Sequence, residues 1–159
     1  MKKEIERRFL VNEGKLPVLT HGKLITQGYL AELENGKSPL VRVRTENKKA
    51  YLTIKLFRSE LTKEEFEYSL PLKEAQKLLD ACLATVQKIR YFATINQHSW
   101  SIDVYEGENY PLVVAEIELK SEIEKFDRPL WVSKEVSADP AFQAYSLAFK
   151  PFSSWKRTR

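Results

Sequence analysis

Charged side chains occupy every second position near the start of the chain, and this spacing limits the possible folds more than any other feature. Side chains alternate between the two sides of an extended strand, so Glu4, Glu6 and Arg8 would point the same way. A half-buried strand normally turns apolar side chains toward the core. The side of the strand that carries these charges must therefore contact water, a metal or a charged ligand.

Similar alternation, or enrichment in β-branched and aromatic residues, predicts strands along most of the chain. The eight predicted strands are Glu4 to Val11, Lys23 to Leu33, Leu40 to Glu46, Ala50 to Phe57, Glu64 to Leu70, Val86 to Ile95, Trp100 to Tyr105 and Val113 to Lys120. Short connections favour an antiparallel sheet, and closure of that sheet would remove its exposed edges. We therefore expect a mainly β fold of the α+β class, an eight-stranded antiparallel barrel that is closed or nearly closed.

Helices are predicted outside this barrel. Apolar residues at helical spacing after a proline indicate an amphipathic helix from Pro71 to Leu83. Weaker patterns predict helices at Ser121 to Phe126 and at Ala141 to Phe149. We expect a single domain over residues 1–152 and a C-terminal tail over residues 153–159.

Composition excludes several classes of protein. A chain of 159 residues with 43% hydrophobic and 30% charged residues fits a soluble globular domain rather than a disordered or fibrous one. No apolar run reaches the roughly 18 residues of a membrane span, so no membrane partner is expected. The charged N-terminus lacks the apolar stretch of a secretory signal, which predicts a cytoplasmic protein.

When the strands are sorted by side, one side of the sheet collects thirteen charged residues. Its acids are Glu4, Glu6, Glu65, Glu67, Asp103, Glu116 and Glu118, and its bases are Arg8, Arg42, Arg44, Lys55, Lys88 and Arg90. For any single strand, the simpler interpretation is a solvated surface with weakly paired charges. Recurrence across the strands favours a groove or barrel interior instead.

An interior with both signs of charge suits an elongated polyanion together with a divalent metal. Arginine and lysine bind phosphate oxygens. Carboxylates attract Mg²⁺ or Mn²⁺, hard cations that commonly bridge protein carboxylates and substrate phosphates. This mixture favours phosphoryl-group chemistry over sugar cleavage by a pair of carboxylates.

The ordered charges resemble the CYTH domain, or triphosphate tunnel metalloenzyme, superfamily. The family motif Glu-x-Glu-x-Lys is similar to Glu4-x-Glu6-x-Arg8, and the later charged strands occur in the family's order. This resemblance implies an eight-stranded tunnel whose members act on inorganic tripolyphosphate, thiamine triphosphate, RNA 5′ ends or ATP. Compact bacterial inorganic triphosphatases are the most similar in length.

The resemblance also implies roles for individual residues. Metal ions would be bound by Glu4, Glu6, Asp103, Glu116 and Glu118. Phosphates would be bound by Arg8, Arg42, Arg44, Lys55, Lys88 and Arg90. Glu4, Glu6, Arg8 and Lys55 would act directly in catalysis, with a metal-activated water attacking the terminal phosphorus. Glu65 and Glu67 would orient the bases or touch a second metal. Neither His21 nor His98 is expected on the charged side.

Two departures from the family pattern stand out. Arg8 replaces a lysine, and a planar guanidinium differs in shape from a compact ammonium. Near the C-terminus, Asp139-Pro140-Ala141-Phe142-Gln143-Ala144 replaces the Asp-x-Arg-Tyr-x-Asn of small family members. Both changes leave the substrate and the level of activity open.

Three functions remain as alternatives. The preferred prediction is a metal-dependent triphosphatase that uses Mg²⁺ or Mn²⁺ and acts on a small-molecule triphosphate, most simply inorganic tripolyphosphate. The others are a different triphosphate-converting enzyme, such as a class IV-type adenylyl cyclase or a thiamine triphosphatase, and a noncatalytic polyphosphate-binding protein. The aromatic residues do not alternate with the bases, so nucleic acid is not the expected partner. A homodimer is left open.

Overall fold

Nine β-strands and two α-helices are present in the computed structural model, which describes residues 1–35 and 38–156. The strands are β1 (Lys2–Val11), β2 (Lys23–Tyr29), β3 (Leu40–Glu46), β4 (Lys49–Phe57), β5 (Thr62–Ser69), β6 (Ala84–Ile95), β7 (His98–Tyr105), β8 (Val113–Glu118) and β9 (Val132–Glu135). The helices are α1 (Leu72–Ala81) and α2 (Ala144–Phe149).

The first eight strands close into an antiparallel barrel. Their order is β5-β4-β3-β2-β6-β7-β8-β1, and pairing between β1 and β5 completes the ring. The long strand β1 pairs with β8 on one side, and on the other it pairs first with β5 and then with β9. The predicted eight-stranded barrel is thereby confirmed, and β9 is an additional strand that covers the second half of β1.

The secondary structure differs from the prediction in three places. The strand predicted over Lys23 to Leu33 ends at Tyr29, and β9 was not predicted. The helix predicted at Ser121 to Phe126 is wrong. Only a single turn forms there, closed by a hydrogen bond from the Glu124 N–H to the Ser121 carbonyl oxygen (3.2 Å), and the chain then extends.

The two remaining helix predictions are confirmed with adjusted bounds. The helix α1 begins directly after Pro71, whose missing N–H costs nothing at a helix start. The stretch predicted over Ala141 to Phe149 is divided into a 3₁₀ turn at Pro140–Phe142 and the helix α2. Gln143 separates them because its backbone is extended (φ −75°, ψ 143°).

The side of the barrel formed by β2, β3 and β4 is covered by α1. Ala75 and Leu79 of the helix pack against Val43 and Ala50 of the strands, and all four are buried. The helix and its C-terminal end lie close to β2 at Gly28, where an added Cβ would be 2.6 Å from the Cys82 sulfur. The apolar outer surface of these strands thus forms a small core with the helix.

An aromatic cluster covers the outer surface of β1, β7 and β8. Phe9 and Trp100 are fully buried there, and Phe126 and Trp131 pack on them from the chain that follows β8. The centroid distance between Phe9 and Trp100 is 5.6 Å, and that between Trp100 and Trp131 is 5.5 Å. With apolar residues packed on the outer surfaces, the charged sides of the strands face the barrel interior.

One end of the barrel interior is closed by apolar residues. Tyr29, Tyr105 and Val114 are buried together with Leu147 of α2, and we call these four residues the end cluster. Trp155, which was predicted to lie in a tail, packs edge-to-face against Phe142 at a centroid distance of 5.0 Å. Residues 157–159 of that predicted tail lie outside the described residues.

No helix in residues 1–35 and 38–156 is both long enough and apolar enough to cross a lipid bilayer.

Candidate active site

A cavity of about 310 Å³ runs into the barrel and is lined mostly by charged side chains. Twelve of the thirteen charged residues predicted for this surface line it: Glu4, Glu6, Arg8, Arg42, Arg44, Lys55, Glu65, Glu67, Lys88, Arg90, Glu116 and Glu118. The thirteenth, Asp103, is completely buried against two of them. Sorting the strands by parity therefore predicted which side chains gather here.

Carboxylates are concentrated where β1 pairs with β8. Glu6 stands directly opposite Glu118 in the register, and Arg8 stands opposite Glu116. Burial raises the pKa of Glu6 above its ordinary value, and the nearby Glu116 and Glu4 raise it further. Like charges this close are favourable only when a cation or a proton lies among them.

Glu4 lies beside this group and is held by a lysine. The Lys55 ammonium donates to Glu4 Oε2 at 2.6 Å and lies 3.3 Å from Glu65 Oε2. Lys55 and Glu4 are both at least nine-tenths buried. The ion pair joins β4 to β1 across the closure of the barrel.

A second group of charges surrounds Asp103. Its carboxylate accepts hydrogen bonds from the Lys88 ammonium (2.6 Å) and from the Arg90 guanidinium (2.6 and 2.7 Å). Burial alone would raise the pKa of Asp103, but Arg90 and Lys88 hold it below its usual value. Because both of its oxygens accept from these bases, Asp103 anchors them against the wall.

Glu116 links the two groups of charges. It accepts from Arg8 Nε at 2.9 Å and lies 3.3 Å from Arg90 Nη2. Burial opposes ionisation of Glu116, yet Arg8 and Arg90 keep its pKa well below the ordinary value. The guanidinium of Arg8 is also 3.7 Å from Glu6, so this residue is enclosed by carboxylates.

The two arginines of β3, Arg42 and Arg44, have N–H donors that are not used in hydrogen bonds within the described residues. The Nε atoms of Arg42 and Arg44 are buried and make no hydrogen bond within the described residues. Their other contacts are long: Arg42 to Thr53 Oγ1 at 3.3 Å and Arg44 to Glu67 Oε2 at 3.5 Å. Burial and the neighbouring Arg42 lower the pKa of Arg44. An anion between the two guanidiniums would satisfy the buried donors and offset their repulsion.

The carboxylates are the type of ligand that binds a divalent metal. They are hard oxygen donors, and burial together with the nearby Glu116 and Glu4 raises the pKa of Glu6, so a cation among them would favour its ionised form. In the described part of the chain, however, no three His, Cys, Asp or Glu side chains are already gathered around one point. Lys2, Arg8 and Lys55 hold these carboxylates at present, so a metal would exchange places with them.

Some residues that line the cavity were not found from the sequence. Lys63 lies on the same side of β5 as Glu65 and Glu67. It was missed because the strand predicted from the sequence began one residue after it. Gln27 and Tyr29 of β2 were missed because neither is charged; the amide of Gln27 donates to the Tyr29 hydroxyl at 2.8 Å. Gln143 and Ala144, from the segment that departs from the family pattern, also line the cavity.

Both histidines lie away from these charges. The ring of His98 contacts Glu124 at 2.9 Å, and His21 is an exposed residue that contacts Thr20. Neither of them lines the cavity.

The comparison with known proteins agrees with this geometry. Residues 2–144 match the CYTH domain. The inorganic triphosphatase of Acetivibrio thermocellus is 37% identical over 158 residues, which covers 98% of this chain and 99% of that protein. The inorganic triphosphatase of Nitrosomonas europaea is 30% identical over 152 residues, 91% of this chain and 96% of that protein.

Comparison of structures gives the same result. A crystal structure of an inorganic triphosphatase superposes with a TM-score of 0.66 at 29% identity, covering 94% of this chain and 96% of that one. A closed eight-stranded barrel with charged side chains in its interior is the architecture of one class of protein, the triphosphate tunnels. Within that class, the chain belongs to the CYTH domain family.

Proposed function

We propose that this protein hydrolyses inorganic tripolyphosphate with the help of a divalent cation, Mg²⁺ or Mn²⁺. The observation that carries the proposal is that one cavity holds two arginines with unsatisfied buried donors and a cluster of carboxylates where β1 pairs with β8. Two relatives that match nearly the full chain are named inorganic triphosphatases.

Phosphate binding would begin with the two arginines of β3. Their free N–H groups form planar forks that suit phosphate oxygens, and no internal ion pair has to be broken at Nε. Lys88 and Arg90 of β6, two strands away from β3, would bind beside these arginines, because Asp103 holds both in place. We therefore assign Asp103 the role of positioning these bases, in place of the metal-ligand role predicted from the sequence.

Glu4, Glu6, Glu116 and Glu118 would hold the cation. When bound, it would neutralise phosphate charge and make a nearby water more acidic. Attack of water on the terminal phosphorus breaks the anhydride bond and yields phosphate and pyrophosphate, with the water proton passing to solvent. Lys55 and the arginines would stabilise the charge that develops on the leaving oxygen. Glu65 and Glu67 would orient Lys55 and the arginines of β3, which they contact.

A panel of substrates and metals tests the proposal. Tripolyphosphate, ATP and thiamine triphosphate are each incubated with Mg²⁺, Mn²⁺ or EDTA, and phosphate release is measured. We expect the highest turnover with tripolyphosphate and none in EDTA. Cyclic AMP and pyrophosphate from ATP would indicate a cyclase instead. Tight binding of tripolyphosphate without phosphate release in either metal would indicate a noncatalytic binder.

A pair of substitutions tests the carboxylate assignment. Glu118→Gln removes one charge from the cavity wall and is expected to reduce metal-dependent turnover about 100-fold or more, by loss of a metal ligand. Glu64→Gln is the control, because Glu64 lies on the outer side of β5 and pairs with Arg58. Unchanged turnover of Glu118→Gln at limiting metal concentration would contradict the assignment.

A further inference from the structure

Lys63 is a buried lysine in the cavity that neither the sequence pattern nor the proposed reaction uses. It lies on β5 opposite Glu4 of β1 and Phe57 of β4, and its side chain lines the cavity. The residue is only 9% exposed. A lysine buried to this degree normally has a charged or hydrogen-bonding partner.

No such partner is present for Lys63 in residues 1–35 and 38–156. Each of the other seven lysines and arginines that line the cavity is within 4 Å of an acid, as Lys55 is of Glu4 and Glu65 and Arg8 is of Glu116. The Lys63 ammonium instead lies 5.9 Å from the centre of the Phe57 ring. The three donors of this ammonium are therefore available to a ligand.

The surroundings of Lys63 indicate what kind of ligand it could hold. Burial and the nearby positive charges of Lys55 and Arg8 lower its pKa, and Glu6 and Glu4 act in the opposite direction. Phe57 packs against the end cluster, so Lys63 lies toward the closed end of the barrel. An anion that enters from the open end would approach Lys63 after passing the arginines of β3.

We propose that Lys63 is a further phosphate-binding residue, which contacts the end of the triphosphate that lies deepest in the barrel. This inference rests on the proposed function. Arg8 is already enclosed by Glu116 and Glu6, and its guanidinium has less freedom to reach a phosphate. Lys63 supplies a compact ammonium in the same region, and it can reach a phosphate without first giving up an ion pair.

The alternative role for Lys63 is to balance the charge of Glu4 and Glu6 without touching substrate. The two roles differ in their effect on binding. A charge-balancing lysine contributes to the stability of the free protein, and its loss changes the melting temperature more than the affinity for tripolyphosphate. A phosphate-binding lysine contributes mainly when the ligand is present.

The test compares Lys63→Met and Lys63→Arg with Lys3→Met. The control removes the same charge from the outer side of β1, one position from the residue that pairs with Lys63. Tripolyphosphate binding is measured by calorimetry in EDTA, and kcat and KM are measured with Mg²⁺. We expect Lys63→Met to weaken binding about 10- to 100-fold, as for loss of a hydrogen bond to a charged group. Lys63→Arg should restore most of the affinity, and Lys3→Met should bind like the original protein.

Each outcome decides a different question. Affinity and kcat/KM of Lys63→Met within about twofold of the control would overturn the role of Lys63. If the unmodified protein binds tripolyphosphate but releases no phosphate, the proposed function fails while the binding comparison still decides the inference. If the unmodified protein binds tripolyphosphate only with metal, the comparison of kcat/KM between Lys63→Met and the control decides the inference. If the unmodified protein neither binds nor hydrolyses tripolyphosphate, the inference and the proposed function are both overturned. Should Lys63→Met not fold, Lys63→Gln is used in the same measurements.

Discussion

Single residues in the cavity have surroundings that lower the stability of the free protein. Glu6 faces two other carboxylates with its pKa raised, and the guanidiniums of Arg42 and Arg44 lie side by side with unsatisfied donors. Folding alone would favour apolar or neutral residues at these positions. Such local conflicts are expected at functional sites, where a ligand relieves them.

Replacement of Glu6 by glutamine is expected to stabilise the metal-free protein. Glutamine keeps the shape of the side chain and removes a charge that burial, Glu116 and Glu4 all disfavour. The free energy of unfolding in EDTA should rise by about 1 kcal/mol, with loss of metal-dependent turnover, as in other trade-offs between stability and activity. Urea denaturation at pH 7 measures the change. A less stable Glu6→Gln protein would show that the carboxylate repulsion is already relieved within the barrel.

Individual elements are joined by a few specific contacts. The strand β9 is attached to β1 by a pair of hydrogen bonds from Arg7 to the Glu135 carboxylate (2.7 and 2.6 Å), and Arg128 lies 3.3 Å from the same group. The helix α1 is attached to β2 by close packing at Gly28. Each attachment can be tested separately, because the two lie on different parts of the barrel.

The contact between Arg7 and Glu135 predicts a pH-dependent contribution to stability. The hydrogen bond from Arg7 lowers the pKa of Glu135 below its ordinary value of 4.5, so the ionised form is favoured in the folded state. The contribution is therefore complete above pH 4.5 and is lost as the pH falls through the lowered pKa. Glu135→Gln should cost about 1 kcal/mol at pH 7, a modest value because solvent screens the pair.

Denaturation at a series of pH values checks this sign. The difference in unfolding free energy between Glu135→Gln and the original protein should shrink below pH 4.5. A difference that stays constant down to the acid transition would mean that Glu135 contributes through packing rather than charge.

Close packing at Gly28 predicts the effect of adding one methyl group. A Cβ there would lie 2.6 Å from the Cys82 sulfur and 2.9 Å from the Cys82 Cβ, so the helix end must move. Gly28→Ala should destabilise the protein by roughly 1–3 kcal/mol. Gly14→Ala is the control, since the nearest atom to its Cβ would be 3.5 Å away. Equal melting temperatures for the two variants would show that α1 shifts at no cost.

At the scale of the whole molecule, closure of the barrel brings charges from distant parts of the chain into one cavity. Glu4 of β1 meets Lys55 of β4, and Arg8 meets Glu116 of β8. Apolar side chains of the strands are buried outside by α1 and by the aromatic cluster, and some are buried inside at the end cluster. A ligand that neutralises the interior should therefore stabilise the entire barrel.

Tripolyphosphate is expected to raise the melting temperature even in EDTA. A ligand at 100 times its dissociation constant adds about 2.7 kcal/mol, which corresponds to several degrees for a domain of this size. The double substitution of Arg42 and Arg44 by methionine should abolish most of the shift. Arg58→Met, at an exposed position directly after β4, should keep it. A shift of the same size in all three proteins would place the binding outside the cavity.

The predicted barrel and its charged interior followed from local pattern. Alternation with a period of two specifies which side of each strand is apolar, and Val43 of β3 and Trp100 and Ile102 of β7 are buried as the pattern requires. The helix α1 was also predicted, because its start and its periodicity are local signals. The four-residue β9 and the extended chain after Ser121 were missed, since their conformations depend on contacts with β1 and with buried aromatic residues.

The sequence by itself determined that thirteen charges would share one surface, because side-chain parity is a property of each strand alone. Which charges pair with which was decided only by the tertiary structure. Asp103 binds Lys88 and Arg90, Arg8 is enclosed by carboxylates, and Lys63 lacks a partner in the described residues. The physical reason is that pairing depends on strand order, register and closure, and these bring together residues as distant as Arg8 and Glu116.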